Sequence, residues 1–142
     1  MNIVSGSLVK RDKSQIQAND ALADAEIIGF YFSAHWCGPC REFTPLLVSA
    51  YEEMKKLNYK FEVVFVSFDE NEESLFDYMK ESHGDWYALP YGSTDTEKLK
   101  IQFNIEGIPT LIIVNKDGTL VNDDGIDDIE AKGAEAYKDW IK

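Results

Sequence analysis

The chain of 142 residues contains two cysteines, three positions apart, in Cys37-Gly38-Pro39-Cys40. On a helix that spacing puts both sulfurs on one side of the first turn, within bonding reach. The preceding residues, Ile27-Ile28-Gly29-Phe30-Tyr31-Phe32-Ser33, form a short and nearly continuous apolar run, the pattern of a strand buried on both faces. A helix is expected to open at Cys37 or Gly38. Unpaired N–H groups at a helix start, together with the helix dipole, stabilise a thiolate. Such a site can bring a cysteine pKa from about 8.5 into the range of roughly 3.5 to 7.5. The thiolate is the nucleophile of disulfide exchange. The chemistry this arrangement supports is a dithiol–disulfide cycle. Cys37, the more exposed, would attack a substrate disulfide, and Cys40, one turn in, would resolve the mixed disulfide. Gly38 and Pro39 shape the turn between them and so bear on the reduction potential.

Two other readings of the pair are weaker. A structural disulfide closing so short a loop constrains the unfolded chain little. A zinc site would need His35 and His83 beside Cys37 and Cys40, which uses every Cys and His in the chain without a second ligand pair of recognisable spacing. No metal and no tightly bound organic cofactor is expected.

The elements that must hold this turn follow from periodicity. Phe43, Leu46, Leu47, Ala50, Tyr51, Met54 and Leu57 make one apolar stripe on the helix after the cysteines. Pro45 lies inside that helix and should kink it within its first two turns. Phe61 to Phe68 reads as a second buried strand, and Leu75, Tyr78 and Met79 mark a shorter helix. Thr94 with Glu97 three residues later suggests a capping box opening a helix through Phe103. Thr110 to Val114 is a third apolar strand. Asn115-Lys116-Asp117-Gly118 is a turn signal, with Thr119 to Val121 returning antiparallel. A closing helix is expected over residues 128–142. Near the N-terminus, Ser7-Leu8-Val9-Lys10 and Ser14 to Gln17 flank Arg11-Asp12-Lys13 as a short hairpin. Strands separated by helices imply right-handed parallel crossovers, and the last hairpin adds an antiparallel edge. The expected fold is α/β, a three-layer sandwich with a mixed central sheet flanked by helices on both faces. It is one domain over residues 1–142, with residues 1–26 as an N-terminal hairpin extension.

Composition limits the partners. The net charge is −12, which argues against nucleic acid, since phosphate binding needs a basic face. Residues 69–85 hold seven acids against one lysine, and residues 123–139 hold seven against two. These read as solvated faces that keep the chain in solution rather than as a surface selecting basic partners. No run of 18 or more apolar residues occurs, so no membrane partner is expected. Asp12, Asp20, Asp24 and Glu26 interrupt any apolar leader in the first 26 residues, which points to the cytosol. There thiols are mostly reduced, and a disulfide is usually transient and catalytic.

At Trp36-Cys37-Gly38-Pro39-Cys40 the sequence resembles the thioredoxin-fold family, and Pro45 matches the proline of that family's active-site helix. Gly107-Ile108-Pro109-Thr110 resembles its cis-proline loop. Longer blocks are similar to the tryparedoxin and nucleoredoxin branch. They are Phe30-Tyr31-Phe32-Ser33-Ala34-His35-Trp36, Cys40-Arg41-Glu42-Phe43-Thr44-Pro45-Leu46, Phe61-Glu62-Val63-Val64-Phe65-Val66-Ser67-Phe68-Asp69-Glu70, and Trp86-Tyr87-Ala88-Leu89-Pro90-Tyr91. The resemblance spans about residues 27–116. It implies a thiol–disulfide oxidoreductase, a protein-disulfide reductase working through Cys37 and Cys40. It also implies a cis Ile108–Pro109 bond, with the backbone of Ile108 pairing with an incoming peptide. Disulfide-containing proteins, peroxiredoxins among them, are the implied substrates, with an upstream thiol reductant or reductase as electron source. The alternative is a redox-switched interaction adaptor of nucleoredoxin type.

Three features depart from the branch. Gly38-Pro39 stands where the branch usually has Pro-Pro. Tyr31 occupies the position of the buried aspartate of thioredoxins, so another group must move the resolving thiol's proton. Asp69 and Glu70 are the nearest candidates, against the alternative that both are exposed turn acids. Ser82-His83-Gly84-Asp85 makes a longer segment than usual before Trp86. Around the dithiol, Trp36 offers an aromatic platform. His35 is either an acid–base group or a solvated loop residue. Arg41 either supports the thiolate or pairs with an acid on the helix surface.

Overall fold

The structure is a computed structural model and describes residues 4 and 6–142; the rest of the N-terminal extension, residues 1–3 and 5, lies outside the described residues. Strands β1 (Ser7–Val9) and β2 (Gln15–Gln17) form the expected hairpin and lead into the single turn α1 (Ala18–Ala21). Then come β3 (Ile27–Ser33), α2 (Gly38–Lys56), β4 (Phe61–Ser67), α3 (Glu72–Ser82), β5 (Tyr87–Ala88), α4 (Thr94–Gln102), β6 (Thr110–Asn115) and β7 (Leu120–Asn122). The chain closes with α5 (Gly125–Lys132) and α6 (Ala136–Trp140). The seven strands make one mixed sheet in the order β2-β1-β5-β4-β3-β6-β7. β3 is parallel to β4, and β4 to β5, while β6 runs antiparallel to β3.

Strand β3 sits at the centre because every one of its seven residues is buried. Its side chains alternate between two cores, as the two-residue period of a strand requires. Ile27 and Tyr31 join Val63, Phe65, Leu111 and Ile113 on one face, where α2, α3, α5 and α6 pack. Ile28, Phe30 and Phe32 join Val64, Val66, Ile112 and Val114 on the other, under α1, the N-terminal hairpin and Leu99 of α4. The sheet is thus covered on both faces. No helix among the described residues is long and apolar enough to cross a membrane.

Several expectations are corrected. The closing helix is two helices, α5 and α6, with a turn of 3-10 helix at Gly133–Glu135 between them. Gly133 takes φ 56°, a conformation that ends α5 and that side-chain-bearing residues rarely adopt. The start of α4 is capped by Ser93, whose Oγ accepts from the Asp95 N–H at 3.1 Å. Thr94 is the first helical residue, and Glu97 instead meets Lys100 at 3.2 Å. The final strand begins one residue later than expected. The Thr119 N–H is held in the turn by Asn115 and Asp117 side chains, and a register shift falls at Ile113 and Val114. The helix expected after the cysteines is present, and α2 continues from Gly38 through Pro45 to Lys56.

Strand β5 has no counterpart in the sequence reading. Two residues give no periodicity, yet Ala88 pairs with both Phe65 and Val9 and so ties the N-terminal hairpin to the central sheet.

α5 approaches β6 closely at its first residue. A Cβ at Gly125 would lie 2.8 Å from both the Leu111 carbonyl oxygen and its Cγ. Because one of those atoms is sheet backbone, it cannot move aside. Gly125→Ala is expected to destabilise the fold by roughly 1–3 kcal/mol, the usual range for overpacking, read as a lower urea midpoint at unchanged m-value.

Candidate functional site

Ser33 ends β3, and three residues, Ala34-His35-Trp36, connect it to Cys37. The Cys37 N–H donates to the Ala34 carbonyl at 3.2 Å, which closes this connection into a tight turn. Cys37 is the N-cap of α2, with extended backbone at φ −89° and ψ 111°. Its Sγ accepts from the Cys40 N–H at 3.2 Å, the bond a Ser or Asp oxygen makes in an ordinary helix cap. Pro39 lies in the first turn, where a missing N–H leaves no gap in the helix ladder.

Cys37 and Cys40 are joined as a disulfide, with their Cα atoms 5.2 Å apart. Cys37 retains 6% exposure and Cys40 none. Both pack with Ala34, and with Phe68 and Ile108 at the edge of the cluster. The first turn of α2 carries no acidic side chain, so nothing there opposes a negative sulfur.

Ile108 reaches the dithiol cluster from a segment distant in sequence. The Ile108–Pro109 bond is cis; Ile108, Pro109 and Thr110 are half-buried, and Ile108 packs against the dithiol cluster. The Thr110 hydroxyl donates to the Gly107 carbonyl at 2.7 Å and steadies the loop. Trp36 is 61% exposed, and its indole N–H donates to the Phe68 carbonyl at 3.1 Å, so an exposed ring is pinned at one edge. Gly38 and Pro39 are exposed at the front of the turn.

Asp69 is buried rather than an exposed turn acid. Its Oδ1 accepts from the His35 backbone N–H at 2.8 Å and its Oδ2 from the Ser67 hydroxyl at 2.7 Å. It therefore braces the connection that leads to Cys37. Glu70 is exposed. Arg41 is exposed and takes part in no ion pair among the described residues. His35 places its Nε2 3.2 Å from Glu81 and stacks on the Tyr78 ring with centroids 5.5 Å apart.

Behind Cys40 lies a chain of buried hydroxyls that no sequence motif announced. Tyr31 Oη and Thr44 Oγ1 both donate to the Cys40 carbonyl, at 3.2 and 2.8 Å. Thr44 also meets Tyr31 and Tyr78, each at 2.7 Å, and Tyr78 meets Ser33 at 2.7 Å. Burial pushes the Tyr31 phenol well above its ordinary range, so at neutral pH it is a neutral donor and not a base. Four residues scattered over β3, α2 and α3 build this chain, and each reads alone as an ordinary core or helix residue.

His83 is also interior. Its Nδ1 accepts from the Trp86 indole N–H at 3.1 Å, and the Phe65 and Tyr78 rings lie 4.5 and 4.2 Å away. Its Nε2 has no hydrogen-bond partner among the described residues. Burial, reinforced by the positive charge of Arg11, pushes its pKa down to about 3. Among the described residues no group of three or more His, Cys, Asp or Glu is arranged to hold a metal ion.

A thioredoxin-like family profile matches residues 24–120. The chain is 40% identical over 125 residues to nucleoredoxin of Danio rerio, covering 87% of this chain and 29% of that protein. It therefore spans less than a third of that relative's length. Among solved structures, the thioredoxin related protein 16 of Carcinoscorpius rotundicauda superposes with a TM-score of 0.85 at 46% identity, covering 99% of this chain and 98% of that one. Native tryparedoxin I from Crithidia fasciculata superposes with a TM-score of 0.79 at 35% identity, covering 90% and 86%.

The buried imidazole gives stability a pH dependence of known sign. An unfolded histidine binds its proton near 6.5, whereas this site resists protonation down to about 3. The stability it confers is complete above about 6.5 and is lost as pH falls toward about 3. Urea midpoints measured from pH 7 to pH 4 should decline, and His83→Gln should remove this site's share of the slope.

Proposed function

Because the chain belongs to the thioredoxin-like family, within its tryparedoxin and nucleoredoxin branch, we propose that it is a protein-disulfide reductase cycling Cys37 and Cys40 between dithiol and disulfide. The observation that carries this reading is the sulfur cap. Cys37 heads α2 with its Sγ on the Cys40 N–H, and the two cysteines are bonded to each other. The same N–H, aided by the helix dipole, would hold a thiolate once the pair is reduced.

The cycle begins with the pair as a dithiol. The Cys37 thiolate attacks one sulfur of a substrate disulfide, forming a mixed disulfide and expelling the other sulfur as a thiolate. Cys40 loses its proton and attacks Cys37 Sγ, which breaks the mixed disulfide and releases the second substrate thiol. The substrate has gained two electrons, and Cys37 and Cys40 are left as a disulfide. An upstream thiol reductant, or a reductase, returns two electrons to it.

The half-buried cis-proline loop supports a role for the Ile108 backbone in pairing with an extended substrate strand, and Trp36 supplies an aromatic contact beside it. Asp69 and Glu70 are the carboxylates assigned to the Cys40 proton. Both Asp69 oxygens already accept one hydrogen bond, and each keeps a second lone pair. Disulfide-containing proteins are the substrates, peroxiredoxins being a candidate class, and the cytosol is the proposed compartment.

A second reading is favoured by one comparison. The Carcinoscorpius protein is described with a role in regulating the activity of a transcription factor, NF-kB. A redox-switched adaptor would use this fold to hold a partner and the dithiol as a switch. Partner capture that survives replacement of both cysteines supports the adaptor.

Cys37→Ser should abolish insulin reduction, a fall of at least about 100-fold, since the nucleophile is removed. Cys40→Ser should accumulate mixed disulfides visible on non-reducing gels. Full turnover by the Cys37→Ser protein would refute the mechanism.

A further inference from the structure

We propose that the groove beside Ile108 selects disulfide substrates that carry lysine or arginine next to the attacked cysteine; this rests on the reductase reading above and names the substrate class of that site. The groove has a volume of about 560 Å³. Phe103, Ile105, Ile108 and Pro109 give it apolar walls, and Glu106 and Asp123 supply its charge. Ile108 also packs against the cluster of Cys37 and Cys40, so one residue is shared by the groove and the dithiol. A substrate strand paired with the Ile108 backbone therefore enters the groove within a few residues of its cysteine.

The two carboxylates come from separate segments. Glu106 lies two residues before Ile108, a chain distance of at most roughly 7 Å. Asp123 directly follows β7, which pairs with β6 through Asn122 and Ile113. Both are exposed, and neither makes an ion pair or a side-chain hydrogen bond among the described residues. Asp123 opens the acidic run at 123–139, which the sequence alone reads as a solvated face. The fold places this member of the run in one groove with Glu106.

Two other clefts lie near the dithiol, and each holds a cation. In the one lined by Phe68, Lys100 is paired with Glu97 at 3.2 Å and lies over the Phe68 ring. In the one lined by Trp36, Asp69 and Glu70 share the space with Arg41. No lysine or arginine lines the groove beside Ile108.

Apolar walls joined to unpaired carboxylates match one kind of side chain. Lysine and arginine lay an apolar stem along hydrophobic surface and keep their charged end in water. A purely apolar residue would leave the carboxylates without a partner, and an acidic one would be repelled. A second copy of this chain is a poor occupant, since each copy carries a net charge of −12.

The test uses three disulfide-linked peptide dimers of one sequence, differing only in lysine, glutamine or glutamate at the positions flanking the cysteine. Second-order rate constants of the pre-reduced protein are divided by those of dithiothreitol, which removes the peptides' own differences in reactivity. At low ionic strength the wild-type protein should prefer the lysine peptide to the glutamate peptide by at least about 10-fold, as when exposed ion pairs replace like-charge contacts. Raising the ionic strength from about 0.02 M to about 0.5 M should shrink that ratio, because exposed charges are screened. Glu106→Gln combined with Asp123→Asn should cut the ratio at least about fivefold, and Glu106→Lys combined with Asp123→Lys should reverse the preference. Glu52→Gln combined with Glu53→Gln removes the same charge from exposed positions roughly 20 Å along α2 from Cys37, and should keep the ratio within about twofold.

A wild-type protein without preference, or a groove variant that keeps the wild-type ratio, would overturn the proposal. So would an equal loss in the Glu52 and Glu53 variant, which would assign the preference to overall charge. A wild-type dimer in sedimentation that the groove substitutions dissociate would give the groove to a second copy and also overturn it. A wild-type protein that reduces none of the three peptides would overturn the reductase reading itself, and this proposal with it.

Discussion

A new helix begins with N–H groups that have no partner inside it, and in this chain one of them is satisfied by sulfur. Cys40 N–H meets Cys37 Sγ at 3.2 Å, where most helices place a hydroxyl or carboxylate oxygen. The contact does two jobs because the physics is the same in both. It caps α2, and it faces a sulfur that gains most from a donor when it is ionised. Its position depends on β3, whose seven buried residues are locked between β4 and β6 and cannot slide by one residue without exchanging the two cores. The turn through Ala34 therefore delivers Cys37 to one place.

Polar atoms in the interior are arranged so that no charge is buried at Cys40. Where thioredoxins carry a carboxylate, Tyr31 supplies a hydroxyl, and with Thr44 it converges on the Cys40 carbonyl. Buried hydroxyls are tolerated when they are hydrogen-bonded, and this chain links four of them through contacts of 2.7 Å. The backbone of the resolving cysteine is consequently held by neutral donors. The chain's excess of acids also spares the helix start. None occurs in the first turn of α2, where a carboxylate would compete with the thiolate, although the net charge is −12.

Rim interactions are individually weak in stability. The His35–Glu81 pair is partly exposed and would contribute about 0–1 kcal/mol at most, as solvent-facing pairs do. With the stacking on Tyr78, it ties the connection that precedes Cys37 to α3. The brace from Asp69 belongs with it. Residues that look like loose loop and turn positions in the sequence are here fastened to one another across α3 and the end of β4.

Local information was enough for much of this. The apolar runs at 27–33, 61–68 and 110–114 read as buried strands from their short length and their Val, Ile and Phe content. The Cys37–Cys40 spacing, with a strand before it and an amphipathic stripe after it, defined the redox turn without any knowledge of contacts. Resemblance added the cis bond at Pro109, which residue physics alone only permits. What the chain could not disclose locally are features made by residues distant in sequence. Asp69 becomes a buried brace only when β4 sets it beside His35, 34 positions away. Thr44 becomes part of a polar chain only when Tyr31 and Tyr78 close on it. β5 exists because Phe65 and Val9 offer edges to two residues with no pattern of their own. The break at Gly133 and the tight start of α5 at Gly125 were likewise decided by packing, the latter against Leu111. Periodicity records which face of an element is wet or dry; which hydroxyl, carboxylate or carbonyl lies opposite is fixed only when the faces meet.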